Sequence, residues 1–372
     1  MSGRVDKIGS PRRDERGPLR RIEPTNPGDA HTWGRGAKVA ILATASAVGL
    51  AIALLALEGA LALALRADPR AGPDLWKKMR REYYMRFERH ILQYLPECAE
   101  FDPQLAYRLK PGHCRFRNRE YDVEIVVNSA GMRDREEALD RPRIVVTGDS
   151  FAVGWGVAQE ETLSAVLAEL TGEKTLDAAQ PSYGTAREML LLRSVDLSAA
   201  HTLVIQYCEN DFIENARFLK GHGRLATMAP EKYRATVEDH LAATRYYPGK
   251  HLRHLLPFAW WAARGGDPTD YVRDCTIEAP AFVRVLDRAG LRGPLRVIAF
   301  EAMYTVEQSS CFSRELAKLA GSGAGLPAWV SELRVIDPAP FLTASDYYPL
   351  DEHLNASGYR KIARAIADAI AD

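Results

Sequence analysis

The chain carries no surplus of either charge: 49 lysines and arginines stand against 49 aspartates and glutamates in 372 residues. That balance excludes a global field as the basis of an obligatory nucleic-acid or polyanion partner. Cysteines number only five, with no CxxC pair and no Cys/His group at metal-ligand spacing, so neither a zinc site nor a cofactor is expected. Internal repeats are missing, which leaves no repeat architecture to consider. What remains is 47% hydrophobic, enough to bury a full core, and domain-size priors allow one large domain with appendages.

Long apolar runs are also scarce, with a single exception. Val39 to Leu57 is uncharged and rich in Ala, Leu, Ile and Val. At about 1.5 Å per residue it spans roughly 28 Å, close to the hydrocarbon thickness of a bilayer, so a transmembrane helix is expected over 39–65. A cleaved signal peptide is the rival reading, because Ala62-Leu63-Ala64 resembles a cleavage site, but signal cores run only about 7 to 15 residues. Arg4, Lys7, Arg12, Arg13, Arg16, Arg20, Arg21, Arg35 and Lys38 precede the run and place the N-terminus in the cytoplasm. The rest then lies outside, although Arg66, Arg70, Lys77, Lys78, Arg80 and Arg81 weaken the asymmetry.

Residues 1–38 lack periodic apolar pattern and read as a disordered cytosolic tail. Asp74 to Leu95 has helical apolar spacing and a basic opposite face: a juxtamembrane helix that either meets lipid or packs on its own domain. Phe101 to Asp140 carries turn signals and a strand-like run, Tyr121 to Asn128, so 66–140 is a juxtamembrane helix followed by a small β-containing lead-in. From Arg141 strands and helices alternate. Strands are expected at Ile144 to Thr147, near Thr175, and at Leu203 to Tyr207, Leu295 to Phe300 and Leu333 to Ile336. Helices are expected at Thr162 to Leu170, Ala186 to Leu197 and Ala281 to Ala289, from Ser313, and from Ala356 to the end. This alternation predicts an α/β domain over 141–372, with a parallel sheet covered on both faces and functional loops at the strand carboxyl ends. An insert at about 213–278, containing Tyr246, Tyr247, Phe258, Trp260 and Trp261, reads either as a lid or membrane-facing flap or as packing in an inserted subdomain.

For Cys98, Cys114, Cys208, Cys275 and Cys311 the preferred pairing is Cys98 with Cys114 and Cys275 with Cys311, leaving Cys208 buried and reduced. Sequence does not determine connectivity, and unpaired thiols are the alternative.

The chemistry-bearing residues fall at strand ends. Ser150 follows the strand Ile144 to Thr147 through Gly148-Asp149; a serine becomes a useful nucleophile only when a base takes its proton and fixed donors meet the developing oxyanion. Gly184, in Gln180-Pro181-Ser182-Tyr183-Gly184-Thr185, lacks a Cβ and can bring a backbone N–H close to a reacting group. Asn210, in Cys208-Glu209-Asn210-Asp211, offers an amide donor. His353, in Asp351-Glu352-His353-Leu354-Asn355, can take the serine proton while a carboxylate orients it, and Asn355 suits the N-cap of the last helix. Singly, these residues are ordinary turn, cap and surface residues; together they form an ordered set.

The four segments resemble the blocks of the SGNH (GDSL-type) hydrolase superfamily, from about Arg141 to the C-terminus with the insert excepted. The resemblance implies a flavodoxin-like three-layer sheet and a triad of Ser150, His353 and Asp351. It also implies an oxyanion hole made by the N–H of Ser150, Gly184 and Asn210. Two departures stand out: Cys208 replaces the usual glycine of the third block, and Asp351 lies two rather than three residues before His353, which leaves Asp346 as an alternative partner. The spacing, with Leu354-Asn355-Ala356-Ser357-Gly358, is similar to the extracytoplasmic branch linked to polysaccharide O-acetylation. Asn128-Ser129-Ala130-Gly131-Met132-Arg133-Asp134 also resembles membrane-anchored members.

With the apolar run, the resemblance implies a membrane-anchored serine esterase or O-acyltransferase acting on acyl esters, acetyl foremost, of a cell-envelope carbohydrate. Its expected partners are that substrate, lipid around one N-terminal helix and a membrane acyl-donor protein, with no nucleic acid. A catalytically silent scaffold or glycan-binding partner of a membrane enzyme is the alternative.

Overall fold

A computed structural model describes residues 34–264, 274–303, 310–323 and 325–372, the side chains of 261–263 excepted. Residues 1–33 of the expected tail, 265–273 of the insert and the Trp261 side chain lie outside the described residues. In chain order the helices are α1 (Arg35–Arg66), α2 (Asp74–Phe87), α3 (Leu163–Thr171), α4 (Thr185–Leu192), α5 (Asp211–Lys220), α6 (Pro230–Thr244), α7 (Lys250–Ala263), α8 (Cys275–Asp287), α9 (Ser310–Ser322) and α10 (Ala356–Ala371). The strands are β1 (Ala99–Asp102), β2 (Ala106–Leu109), β3 (Gly112–Arg117), β4 (Asp122–Val127), β5 (Ile144–Thr147), β6 (Thr175–Asp177), β7 (Thr202–Tyr207), β8 (Leu295–Glu301) and β9 (Val330–Ile336).

Strands β5 to β9 form one parallel sheet in the order β6-β5-β7-β8-β9. Counted from the first sheet strand this is 2-1-3-4-5, the flavodoxin-like order, in which the chain leaves β5 for one side and later returns to the other. Side chains that alternate across each strand divide the core in two. Ile144, Val146, Val204, Ile298 and Phe300 face α3 and α10, packing on Leu163, Val166, Leu167, Ile362 and Ile366. Val145, Leu203, Ile205, Val297 and Ala299 face the opposite way, onto Met189, Leu192, Phe282, Leu286 and Phe312 of α4, α8 and α9. The architecture is the expected α/β layering. Expected and observed elements of the sheet domain agree to within a few residues with two exceptions: α4 stops at Leu192, where the chain turns and the Ser194 hydroxyl donates to the Leu191 carbonyl, and the helix expected from Ala281 begins at Cys275.

α1 has 32 residues and is long and apolar enough to cross a membrane. Residues from Ala56 onward form one compact unit, in which the lead-in packs with the sheet domain. The helix expected from Asp74 to Leu95 ends at Phe87, and only a short 3-10 turn, Leu92–Tyr94, follows. Tertiary partners take the backbone groups that would have continued it: Lys250 Nζ donates to the Phe87 carbonyl at 2.7 Å, and Asn118 bonds both the N–H and the carbonyl of His90. The lead-in consists of two antiparallel pairs, β1 with β2 and β3 with β4. Disulfides join Cys98 to Cys114 and Cys275 to Cys311, while Cys208 is a buried thiol. In the insert, α7 packs through Leu255 and Phe258 on Met79 and Tyr83 of α2, and Tyr246 and Trp260 are exposed.

Gly148, at the exit of β5, has φ +152°, and a Cβ there would lie 2.6 Å from both Ala152 Cβ and Gln206 Oε1. Gly148→Ala is therefore expected to lower unfolding free energy by about 3 kcal/mol or more, through strain and overpacking together. A urea titration showing wild-type stability would contradict this account of the turn.

Candidate active site

Strand β5 ends in a turn that carries Gly148, Asp149 and Ser150 out of the sheet. The Asp149 carboxylate folds back to accept the Phe151 N–H at 2.9 Å, while its own N–H donates to Gln206 Oε1 at 2.8 Å. Burial pushes the Asp149 carboxyl up to about 6, against the hydrogen bond from the Phe151 N–H. The following loop, Phe151 to Val157, is held from beneath by Arg133, whose buried guanidinium donates to the carbonyls of Val153, Gly154 and Val157. This gives a structural role to the Asn128 to Asp134 stretch.

At the other end of the domain, the segment before α10 forms a tight loop. Tyr348 N–H donates to the His353 carbonyl, Glu352 N–H to the Tyr348 carbonyl, and Asn355 N–H to the Asp346 carbonyl, each at 2.9 Å. Glu352 adopts a left-handed backbone, φ +59°, which turns the chain so that Asp351 and His353 face inward. Asn355 caps α10, its side chain accepting from the N–H groups of Ser357 and Gly358.

These two segments, 203 residues apart in sequence, meet. His353 Nε2 lies 2.7 Å from Ser150 Oγ and its Nδ1 lies 2.6 Å from Asp351 Oδ1. With the carboxylate accepting at Nδ1–H, the neutral imidazole presents a lone pair at Nε2 to the serine hydroxyl. The Phe151 and Trp155 rings stack on the imidazole, with centroids 4.6 and 4.7 Å away. Ser150 is 5% exposed, His353 1% and Asp351 0%. Burial lowers the pKa of His353, and Asp351 opposes that only in part. Burial also works to raise the Asp351 carboxyl, but the hydrogen bond and charge of His353, with Arg89 and Tyr121, hold it well below the usual carboxylate range.

Asp346, the alternative partner, is occupied elsewhere: its carboxylate accepts from Thr343, Ser357 and Lys361 Nζ, the last at 2.7 Å. The expected oxyanion donors are arranged differently from the simplest picture. Gly184 is the N-cap of α4, and its N–H donates to Glu214 Oε1 at 3.1 Å, with Arg187 paired to the same carboxylate. Asn210 is exposed at the start of α5 and its side chain bonds Asp149. An acyl oxygen reaching the Gly184 N–H must displace Glu214. Among the described residues no group of His, Cys, Asp and Glu side chains could hold a metal ion.

Four residues that bear on Asp351 escaped the sequence reading: Tyr84, Arg89, Glu120 and Tyr121. Tyr84 and Tyr121 donate to Asp351 Oδ2 at 2.8 and 2.6 Å, Arg89 lies 3.4 Å from Oδ1, and Glu120 accepts the N–H groups of Leu350 and Asp351. They precede the sheet domain in the chain and share no motif, so no local signal marks them. Phe151 and Trp155 were nearer to hand, as the aromatics of the loop that follows Ser150.

No protein-family model and no curated protein matches the chain. Among solved structures it is similar to a candidate GDSL-like lipase from Bacteroides ovatus ATCC 8483, at 14% identity and a TM-score of 0.35, over 62% of this chain and 52% of that one. It is similar also to the salicylyl-acyltransferase of a tetracycline biosynthetic pathway, at 12% identity and a TM-score of 0.34, over 62% and 55% of the two chains. A candidate lipolytic protein of the G-D-S-L family from Desulfitobacterium hafniense DCB-2 aligns at 14% identity and a TM-score of 0.31, over 61% and 98%. The chain thus spans about half the length of the first two of these proteins.

Proposed function

We propose that the chain is a membrane-anchored, SGNH-type serine esterase or O-acyltransferase whose outer domain acts on acetyl or similar short acyl esters of a cell-envelope carbohydrate. The observation that carries the enzymatic part is the hydrogen-bonded line from Ser150 Oγ through His353 to Asp351. α1 supports the anchor, and the two disulfides support an oxidising compartment outside the cytoplasm. The carbohydrate and the extracytoplasmic orientation rest on the sequence resemblance and on the charges that flank the apolar run.

In this reading Ser150 Oγ attacks the acyl carbonyl carbon while its proton passes to His353 Nε2. Asp351 stabilises the imidazolium that forms. The tetrahedral oxyanion is met by the Ser150 N–H, by Gly184 once Glu214 has moved, and by Asn210. Collapse breaks the bond to the leaving alcohol, which takes the proton from His353 and leaves an acyl-serine. Water gives hydrolysis and a sugar hydroxyl gives transfer; either is deprotonated by His353, and the deacylated Ser150 recovers its proton.

The hold of Glu214 on Gly184 favours a second reading, a catalytically silent scaffold or glycan-binding partner. Fluorophosphonate labelling separates the two. Labelling of the wild type that disappears in Ser150→Ala and in His353→Ala, with turnover of an activated acetyl ester falling about 10⁴-fold or more, is the expected result. Absence of labelling in the wild type would favour the scaffold. Asn210→Ala is expected to slow acylation by about a hundredfold; wild-type turnover would remove Asn210 from the oxyanion hole.

The pH profile provides an independent check. The base must be unprotonated, so kcat/KM rises with pH along an acid limb that reports His353 in the free enzyme. Because burial lowers this pKa, the limb is expected below the ordinary 6.5, with full activity above it and loss as pH falls through it. A midpoint at or above 6.5 would show that burial does not govern this base.

A further inference from the structure

Both oxygens of the Asp351 carboxylate are engaged, and the engagement is asymmetric. Oδ1 faces His353 Nδ1 at 2.6 Å, with Arg89 at 3.4 Å. Oδ2 accepts two phenolic hydroxyls, Tyr84 at 2.8 Å and Tyr121 at 2.6 Å. A carboxylate oxygen offers about two lone-pair sites, so two hydroxyls fill Oδ2 and fix the plane of the carboxylate about its Cβ–Cγ bond. That plane decides whether Oδ1 points along the imidazole N–H.

The two phenols come from different parts of the chain. Tyr121 immediately precedes β4, beside Glu120, whose carboxylate binds the N–H groups of Leu350 and Asp351. Tyr84 belongs to α2. Three residues before it on the same helix face, Arg81 donates to Glu352 Oε1 at 2.7 Å, so one face of α2 grips two consecutive residues of the loop that presents His353. α2 is tied in turn to the chain that leaves α1, because the Arg80 guanidinium donates to the carbonyls of Asp68 and Ala71.

Resting on the esterase or acyltransferase reading above, we infer that Tyr84 and Tyr121 are positioning residues: their hydroxyls hold Asp351 in register with His353, and α2 is thereby a working part of the active centre. The groups facing the Asp351 and His353 pair are Tyr84 and Arg89 from α2 and the segment after it, Glu120 and Tyr121 from the hairpin, Tyr348 and Glu352 from the loop itself, and Ser150. Burial, reinforced by the Asp351 charge, raises both phenols well above their ordinary pKa, so each stays protonated and remains a donor across the working pH range.

The sign of the effect follows from where the negative charge sits. Each hydroxyl draws carboxylate charge toward Oδ2 and weakens the pull of Asp351 on an imidazolium. Removing a hydroxyl strengthens that pull, so His353 becomes more basic. Tyr→Phe keeps the ring and its packing and deletes only the donor.

The test compares Tyr84→Phe, Tyr121→Phe and the double variant with wild type, using the full chain in detergent micelles. In the double variant the acid limb of kcat/KM is expected to move up by about half to one pH unit, from the typical worth of two hydroxyl donors. kcat should fall about tenfold and KM should stay within twofold. An activity-independent readout is the NMR titration of the His353 imidazole, its resonance assigned by loss in His353→Gln; its midpoint should move in the same direction. A structural role alone would lower the denaturation midpoint and leave the limb and the titration in place, and that outcome overturns the inference. If Ser150→Ala retains turnover, the underlying enzymatic reading falls by itself, and the His353 titration still decides whether the phenols act on the pair.

Discussion

A carboxylate with no solvent contact is costly unless donors replace its hydration, and the local structure is organised around meeting that requirement for Asp351. Water is replaced by the imidazole N–H, two phenols and a more distant guanidinium, while Glu120 fastens the backbone on which the carboxylate rides. Each donor offsets part of the desolvation cost, and together they fix the plane of the carboxylate that keeps Oδ1 on the imidazole N–H. The burial that makes Asp351 costly also gives it strength, because the ion pair is little screened in a low-dielectric surround.

The same requirement explains why the segment before the sheet domain does not behave as a separate module. The loop between β3 and β4 and helix α2 deliver side chains to a loop more than two hundred residues downstream, and α7 fastens α2 through Lys250, Leu255 and Phe258. A buried Glu58 carboxylate on α1 accepts from the N–H groups of His251 and Leu252 and from the His251 ring, joining α7 to the end of the apolar helix. Within the compact unit from Ala56 onward, the C-terminal end of α1 is therefore linked to the candidate site by packing and hydrogen bonds through α7 and α2.

The sheet and the candidate site differed in how legible they were. β5 to β9 and the helices between them were readable because buried parallel strands are short β-branched runs and amphipathic helices repeat every three or four residues, both local signals. Ser150, His353 and Asp351 were readable because each sits in a short segment of recognisable composition at an expected strand end. The end of α2 at Phe87 was not readable, since the groups that stop it, Lys250 and Asn118, are remote in sequence. Nor was the arrangement around Gly184: an acidic residue at the start of the next helix carries no mark that its carboxylate will fold back onto that N–H.

By itself the sequence determined the layered α/β order, the apolar helix and the residue types that face one another at the strand ends, since these follow from periodicity and composition within windows of a few turns. Tertiary structure alone decided which carboxylate meets His353, which donors surround it and what occupies the Gly184 N–H. Such pairings depend on distances between segments separated by tens to hundreds of residues. They are set by the packing of the whole core, which no local pattern encodes.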